Sequence, residues 1–491
     1  MKDKYDVVIV GSGIGGLVSA VLLSEAGRSV LVIEKEPGPG GYLAGFTIDG
    51  FAFEPSLHLL NGCSEGRYTY EILKQCKITD KIRFIKPKYL YRGIFPDFDI
   101  RVPQSDPDKY KSILIGLFPD SEHGIEELFS STLKMFREIT ASDGVRTISP
   151  ILMPYFRRTC GEVLGQYIKD EKLKAIIVQP WTYFGLPPSL LRAVDFFYPW
   201  YDYVCNGGYY VKRGGLGLVN ELYDRAEANG ATFVFNQKVD KVEVHDNYCK
   251  HVIFGSAKVS CGVLISGADL FSTVTDLIGA KHLPQTTLNK IKSIMPSISN
   301  FEIFLGLSTD LRNKYSDDYE ILISSDYDPD SQYNASLSDD VKAAPFSITL
   351  YSNIDNSCTS GNKSMITINM LSGYDHWKIK SDEEYRGKKD EVADILIKRA
   401  CKIIPEIEDN IQTKVVSTPT TFERYTNNYK GAIYGNNRSI GSLAEVRPGN
   451  SLKIKNLHFA SAWARQGSGV EKVLHSAGEV VKRILNEQQE Y

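Results

Sequence analysis

The sequence predicts an α/β fold built around buried parallel strands. Three observations predict it. A β-branched run, Val7-Val8-Ile9-Val10, leads at once into Gly11-Ser12-Gly13-Ile14-Gly15-Gly16, which matches G-x-G-x-x-G. A second run, Ser29-Val30-Leu31-Val32-Ile33, ends in the acid Glu34. After Gly214 a strand and helix pattern returns far along the chain.

The residue types of the first unit state its chemistry. Gly11 allows a tight turn, Gly13 lets a pyrophosphate approach the backbone, and Gly16 lets the following helix, expected over 17–26, pack closely on the strand. The helix start offers free N–H groups and a partial positive charge to phosphates. Glu34 lies about 20 residues past the glycines, where a carboxylate takes up a ribose diol. Ile14 inside the turn and Lys35 beside the acid complete the candidate cofactor contacts. The uncharged run from Val7 to Leu23 also invites a signal peptide or membrane span, but its glycines, its length and the lack of a small-residue cleavage site oppose both.

Gly40-Gly41 selects the dinucleotide. An acid, a short turn and a glycine pair, followed by Phe46, Gly50, Phe51 and Phe53, resemble the start of the large FAD-binding oxidoreductases. That resemblance places the second glycine pair beside the flavin diphosphate.

At 491 residues and 42% hydrophobic content, two or three domains are expected. A formal charge of −3 gives no basic field for nucleic acid. The eight cysteines form no C-x-x-C, and neither they nor the eight histidines have ligand spacing, so no metal and no disulfide framework is expected. Reduced thiols in a cytoplasm are the simplest reading. The apolar stretch Ile151–Phe156 ends in Arg157-Arg158, which suits either peripheral contact with lipid headgroups or ordinary helix packing.

Further along, His58 follows the second glycine turn in an apolar context, as a core histidine or as a residue facing the flavin or substrate. Residues 84–103 read as short strands and turns, and 105–178 as amphipathic helices. From Trp181 to Tyr210 there are eleven aromatics in thirty residues, against 11% for the whole chain. Pro187-Pro188 and Gly207-Gly208 preclude one regular helix there. Such walls suit an extended apolar ligand, with Trp181, Tyr198, Trp200 and Tyr203 as candidate substrate contacts; a dense ordinary core is the alternative. Strands are expected at 232–235, 239–244, 251–254 and 263–265, long antiparallel strands over 300–370, and a charged helix over 383–402.

Three blocks carry a closer resemblance: the N-terminal unit, Ser417–Thr426 with Lys430-Gly431-Ala432-Ile433-Tyr434-Gly435, and Asn456–Ala477. Together they resemble the phytoene desaturase, carotenoid isomerase and retinol saturase superfamily of FAD enzymes. The resemblance implies a discontinuous Rossmann-like FAD-binding domain with an α+β substrate domain and a helical insertion. The corresponding segments are 1–90, 205–290 and 416–491 for the flavin, and 91–204 and 291–415 for the substrate. It implies that Val239 passes the adenine with its backbone, and that Ser461, Gly467, Gly469 and Val470 approach the flavin. One departure stands out: the family's Gly-Asp after the last strand is here Ser461-Ala462, and Glu471 and Lys472 are polar where small apolar residues are usual.

The implied activity is FAD-dependent oxidation, reduction or isomerisation at C–C bonds of an apolar isoprenoid or polyene. The flavin carries the hydride, and no side chain need be a strong acid or base. His58, Arg424, Tyr434 and Glu471 are candidates for shaping its reactive face. Two alternatives remain open. One is an oxidase or reductase of the same fold acting on an amine or an unsaturated lipid acid, with Arg424 or Arg465 for the acid. The other is a flavin-free prenyl- or lipid-binding protein. The electron partner is not legible.

Overall fold

The structure, a computed structural model, describes residues 1–141, 148–440, 452–464 and 467–487. Arg465 lies outside them. Among the described residues, two seven-stranded sheets carry the fold.

The first sheet is centred on β1 (Lys4–Val10). It is flanked in parallel by β2 (Val30–Ile33), with Val7 opposite Val30, and by Ala257–Ser266, with Val8 opposite Leu264. Thr232–Val234 extends it beyond β2, and a meander of Lys241–His245 and Tyr248–Phe254 extends the other edge. The last strand, Leu457–Phe459, pairs in parallel with the end of Ala257–Ser266. The strand expected over 239–244 therefore starts at Lys241, and Val239 lies in the connection before it.

Alternation along β1 divides the core. Val7 and Ile9 pack on α1 (Ile14–Glu25) and on the helices Gly214–Ala228 and Val470–Glu487; Val8 and Val10 pack on the opposite layer with Leu270 and Val274. Lying between two helices and a sheet, α1 is buried nearly all round, which is why it lacks a polar face. Its glycines permit the closeness. A Cβ on Gly15 would stand 1.9 Å from the Ala460 carbonyl oxygen, and one on Gly16 would stand 2.2 Å from that of Gly11.

The second sheet runs in the order Ile411–Ser417, Ser299–Leu307, Ser364–Ser372, Phe346–Thr349, Glu320–Ile323, Tyr89–Ile94 and Asp99–Pro103. One face presents Ile303, Leu305, Ile366 and Ile368 to the helix Asp382–Cys401, which covers them with Val392, Ala393, Leu396 and Ala400. That helix is charged on its outer side, as its sequence predicts.

Helices between residues 107 and 206 form a third layer. Thr159 and Glu162 close a capping box at the start of Cys160–Tyr167. Ala193–Asn206 carries much of the aromatic stretch and has Pro199 inside it. Phe196, Phe197 and Trp200 bury their rings in this layer, with Trp200 and Phe129 at 5.4 Å between centroids. Part of the aromatic density is thus helical core.

Candidate active site

One cavity of about 1360 Å³ runs along the tips of the first sheet and under the second. Pockets for single small ligands are typically about 300–1000 Å³, so this space suits a dinucleotide plus a further ligand.

The first unit builds one end. Gly13 is the N-cap of α1, and no side chain caps that helix. A Cβ on Gly13 would meet no protein atom within 4 Å, and Gly13 lines the cavity. The opening there is shaped for something other than protein. The second glycine pair packs against the first turn: Gly40 N–H donates to the Ser12 carbonyl at 3.0 Å, and a Cβ on Gly41 would lie 3.3 Å from the Cα of Gly13. Glu34 is held in place by Ser12, whose N–H and hydroxyl donate to Oε2 at 2.7 and 2.8 Å, while Glu36 N–H donates to Oε1 at 3.0 Å. Lys35 donates from Nζ to the Arg424 carbonyl at 2.8 Å, and Val239 lines the same cavity. A bare N-cap, a glycine cradle open to the cavity and an oriented acid beyond β2 fit FAD. Gly11, Gly13, Ile14, Gly40 and Gly41 would hold its diphosphate, and Glu34 its ribose.

The closing segment comes from the far end of the chain. Ser461 and Ala462 line the cavity, and the Ser461 hydroxyl donates to the Ala268 carbonyl at 3.2 Å. Gly469 and Val470 line it where the last helix begins; Gly467 instead leaves room for Arg438, whose guanidinium would be 2.8 Å from a Cβ there. Arg438 donates to the Ser468 carbonyl and hydroxyl, both at 2.8 Å. Gly435 also works here by absence, because a Cβ on it would stand 2.7 Å from the Ala462 carbonyl. With aspartate at 462, a carboxylate would face the cavity wall. Ala462→Asp is expected to tighten FAD binding roughly tenfold, in line with about 1.5–3 kcal/mol for a charge-assisted hydrogen bond less its desolvation. Titration of apoprotein with FAD reads it, and an unchanged or weaker Kd would mean that this loop is built around the buried Trp463 for another purpose.

At the opposite wall the chain assembles a cluster that local sequence does not show. His58 Nδ1 lies 3.0 Å from Glu320 Oε2 and 3.1 Å from Thr349 Oγ1. Tyr183 donates to Glu320 Oε1 at 2.7 Å, and Thr349 donates to Oε2 at 2.9 Å. Burial and the Glu320 carboxylate push the Tyr183 phenol well up, so it stays protonated and donates. The loop carrying His58 is shaped by buried Glu54, which accepts from Ser56 and Leu57 N–H at 3.0 and 2.8 Å and from Gly215 N–H at 2.5 Å.

Glu471 lies at the same end. It accepts from Asn61 N–H and from the Tyr203 hydroxyl, both at 3.1 Å, and burial raises its carboxyl above the usual range. Beside it, burial and then Arg438 push Lys472 down to about 7. Burial alone would raise the Asp195 carboxyl, but Arg438, Arg192 and Lys472 outweigh it and hold it at about 2.

Of the four residues expected at the flavin face, His58, Tyr434 and Glu471 border this part of the cavity. Arg424 does not join them. It is exposed beside Lys35, at the Glu34 end, with its guanidinium 4.9 Å above the Tyr425 ring. Of the four aromatic candidates, Tyr198, Trp200 and Tyr203 line the cavity. Trp181 does not: it packs on Ile298, Leu371 and Tyr333 behind the wall. Gly16 is likewise set back, packed on Gly11 and Ile9. Missing from the sequence reading are Glu320, Glu302 and Arg438. A carboxylate within the apolar run Phe301–Leu307, inside the strand Ser299–Leu307, was the available signal for Glu302, which lines the cavity.

A glycine-cradled dinucleotide site closed by the chain's last helix, facing a second sheet across one cavity, defines an FAD-dependent oxidoreductase. The chain belongs to the Flavin containing amine oxidoreductase family, which matches residues 14–485. Its curated relatives include a 4,4'-diapophytoene desaturase from Methylomonas sp, 25% identical, with 99% of this chain and 96% of the relative covered. A prolycopene isomerase from an Oncidium hybrid cultivar is 24% identical, covering 98% and 84%. An all-trans-retinol 13,14-reductase from Danio rerio is 23% identical, covering 94% and 82%. Among solved structures, an oxidoreductase from Methanosarcina mazei matches with a TM-score of 0.69 at 15% identity, covering 97% of this chain and 99% of that one. Putrescine oxidase matches at 0.68 and 14% identity, covering 98% and 99%. The solved structures speak to fold alone.

Proposed function

We propose that this FAD-dependent oxidoreductase adds or removes hydrogen across C–C bonds of an extended apolar isoprenoid or polyene, or isomerises its double bonds. The observation that carries this reading is the cavity itself, which continues past the dinucleotide cradle into walls made by Tyr198, Trp200, Tyr203, Leu59 and Phe304. Desaturase, isomerase and reductase relatives matching over nearly the full length support the same reaction class. In this reading 1–90, 205–290 and 416–491 serve the cofactor, and 91–204 and 291–415 the substrate.

The flavin supplies the two-electron centre that takes up or returns hydride. What remains for the protein is position, dryness and the proton lost or gained by the neighbouring carbon. His58 is placed for the proton. Its Nδ1 faces Glu320, so the tautomer donating there leaves Nε2 as the basic nitrogen. Glu320, satisfied by Tyr183 and Thr349, acts as a positioning residue that fixes the ring and balances its charge when protonated.

Incubation of reduced and of oxidised enzyme with C20 to C40 polyenes, read by mass and chromatography, tests this. Loss or gain of two hydrogens, or a shifted retention time at unchanged mass, is expected. No conversion in either redox state by protein that holds FAD would overturn the reading.

Wall contacts should matter by area, about 25 cal/mol per Å² removed from water. Tyr203→Ala is expected to raise KM roughly tenfold or more with flavin content kept. Trp200→Ala should also lower Tm, since the ring is shared with the helical layer, and costs about 3–5 kcal/mol as a buried aromatic truncation. Loss of flavin from Tyr203→Ala without a KM effect would move the substrate elsewhere.

Access fits a membrane surface. Ile151, Met153, Leu190 and Met295 are exposed hydrophobics, with Arg157 and Arg158 exposed beside them. Backbone hydrogen bonds join these segments: Ala193 to Arg158, Arg192 to Arg438 and Asn437 to Met295, and Arg438 lines the cavity. An apolar patch with a basic rim next to the cavity suits an anionic bilayer. Co-sedimentation with anionic vesicles that weakens in Arg157→Glu/Arg158→Glu is expected; equal recovery with and without vesicles would refute it. Among the described residues, no helix is long and apolar enough to cross a membrane.

A further inference from the structure

The floor of the cavity is not what a hydrocarbon needs. Strand register places Glu302 opposite Asn369 and Phe304 opposite Thr367; Thr367 in turn faces Thr349, and Thr349 faces Glu320. A polar stripe thus crosses four neighbouring strands. The intervening residues Ile303, Ile366 and Ile368 face the covering helix, so the stripe lies on the cavity side by the two-residue period of the strands.

Within the stripe several groups have no partner. Glu302 is fully buried and borders the cavity, and neither carboxylate oxygen accepts a hydrogen bond. On the adjacent strand Asn369 Nδ2 and Thr367 Oγ1 are also buried and unpartnered. Asn300 Nδ2 donates to Asn369 Oδ1 at 3.1 Å, which fixes the amide with its NH₂ as the free end. Buried polar groups are rarely left unmade, because each costs the desolvation of the group. Here two of them, Glu302 and Asn369, face each other across paired strands and line the cavity. Burial, and after it the Glu54 carboxylate, push the Glu302 carboxyl well above the usual range, which favours its protonated form. A carboxyl and an amide N–H side by side complement a group that both donates and accepts.

We propose that Glu302 and Asn369 form a subsite for a hydroxyl group, and that the substrate is an isoprenoid or polyene alcohol rather than a pure hydrocarbon. The inference rests on the reading of this cavity as the place of an extended apolar substrate. The alcohol oxygen accepts from Asn369 Nδ2, and its O–H donates to Glu302. The aromatic walls then take the carbon chain, and the subsite fixes its register.

Binding to the FAD-loaded enzyme tests this with three probes in detergent micelles: geranylgeraniol, the C20 hydrocarbon of the same skeleton without the hydroxyl, and geranylgeranylamine. Quenching of tryptophan fluorescence gives the Kd values. The alcohol is expected to bind at least about tenfold more tightly than the hydrocarbon, because a site built for a hydroxyl rejects the analogue lacking it. Glu302→Leu should erase that preference with the hydrocarbon Kd unchanged, and should raise Tm by removing an unpartnered buried carboxyl. Glu302→Gln, which keeps one donor and one acceptor, should retain most of the preference and guards against misfolding of the leucine variant. Equal Kd values for alcohol and hydrocarbon in the unaltered enzyme, or a preference that survives Glu302→Leu, would overturn the subsite while leaving the cavity reading in place. Tenfold tighter binding of the amine than of the alcohol would overturn it in favour of an ammonium site. Failure of all three probes to bind would overturn the cavity reading together with the subsite.

Discussion

Gly13→Val is expected to leave a folded but colourless protein, whereas Gly15→Ala is expected to leave little soluble protein at all. The two residues are two apart in one turn, yet they face different things. Gly13 has extended backbone angles, φ −63° and ψ 172°, that any residue adopts, and no protein atom lies within 4 Å of a Cβ built on it. A valine there costs the helix start less than about 1 kcal/mol. It fills the space a diphosphate would take, so FAD affinity is expected to fall at least about 100-fold, close to 2.7 kcal/mol. Gly15 instead touches backbone that cannot step aside. A Cβ would stand 1.9 Å from the Ala460 oxygen and 3.0 Å from the Val473 side chain, so α1 must part from both the last strand and the last helix. Overpacking of this kind costs typically about 1–3 kcal/mol and more where backbone must move. Urea midpoints and released-nucleotide analysis on both variants check the pair. A yellow Gly13→Val enzyme would show that the diphosphate does not pass the cradle, and a Gly15→Ala enzyme of ordinary stability would contradict the packing of the last segment on α1.

That contrast shows what was legible in the sequence and what was not. The strand, glycine turn, helix and acid unit is contiguous, so its residue types state its geometry without knowledge of the rest. The reason for Gly15 and Gly435 is another segment, Ala460 to Ala462, hundreds of residues away in the first case. Strand existence was also readable, because period-two runs such as Met365–Met370 are local. Which face meets the cavity was not, since it depends on the pairing of Ser299–Leu307 with Ser364–Ser372. The same holds for single side chains. Trp181 and Trp200 sit in one aromatic stretch, but the turn at Gln179–Phe184 sends the first behind the wall while Ala193–Asn206 brings the second to the cavity. Arg424 shares a specific motif with Tyr434, yet the helix Pro419–Thr426 ends on the Lys35 side, so the motif spans the cavity rather than marking one point in it.

His58→Ala is expected to lower kcat about 10²–10³-fold with FAD content and KM near those of the unaltered enzyme, the range for loss of a general acid–base group. The ring is the one imidazole bordering the cavity among the described residues, and its Nδ1 is taken up by Glu320. A merely structural histidine would show its loss as lower Tm and looser substrate binding. A proton-transferring one shows it as a rate that exogenous imidazole partly restores, and as a changed solvent isotope effect on kcat. Glu320→Gln keeps the shape but removes the charge opposite the ring, and is expected to lower kcat about 10–100-fold. If Glu320 acts only through His58, the double variant should be little slower than His58→Ala alone, because residues working as one unit are strongly non-additive. Additive losses would make Glu320 an independent contributor to the rate rather than a residue acting through His58. Full activity in His58→Ala would leave the proton to solvent or to Tyr183, whose hydroxyl lies 3.4 Å from the same Nδ1, and would reduce the histidine to a packing residue.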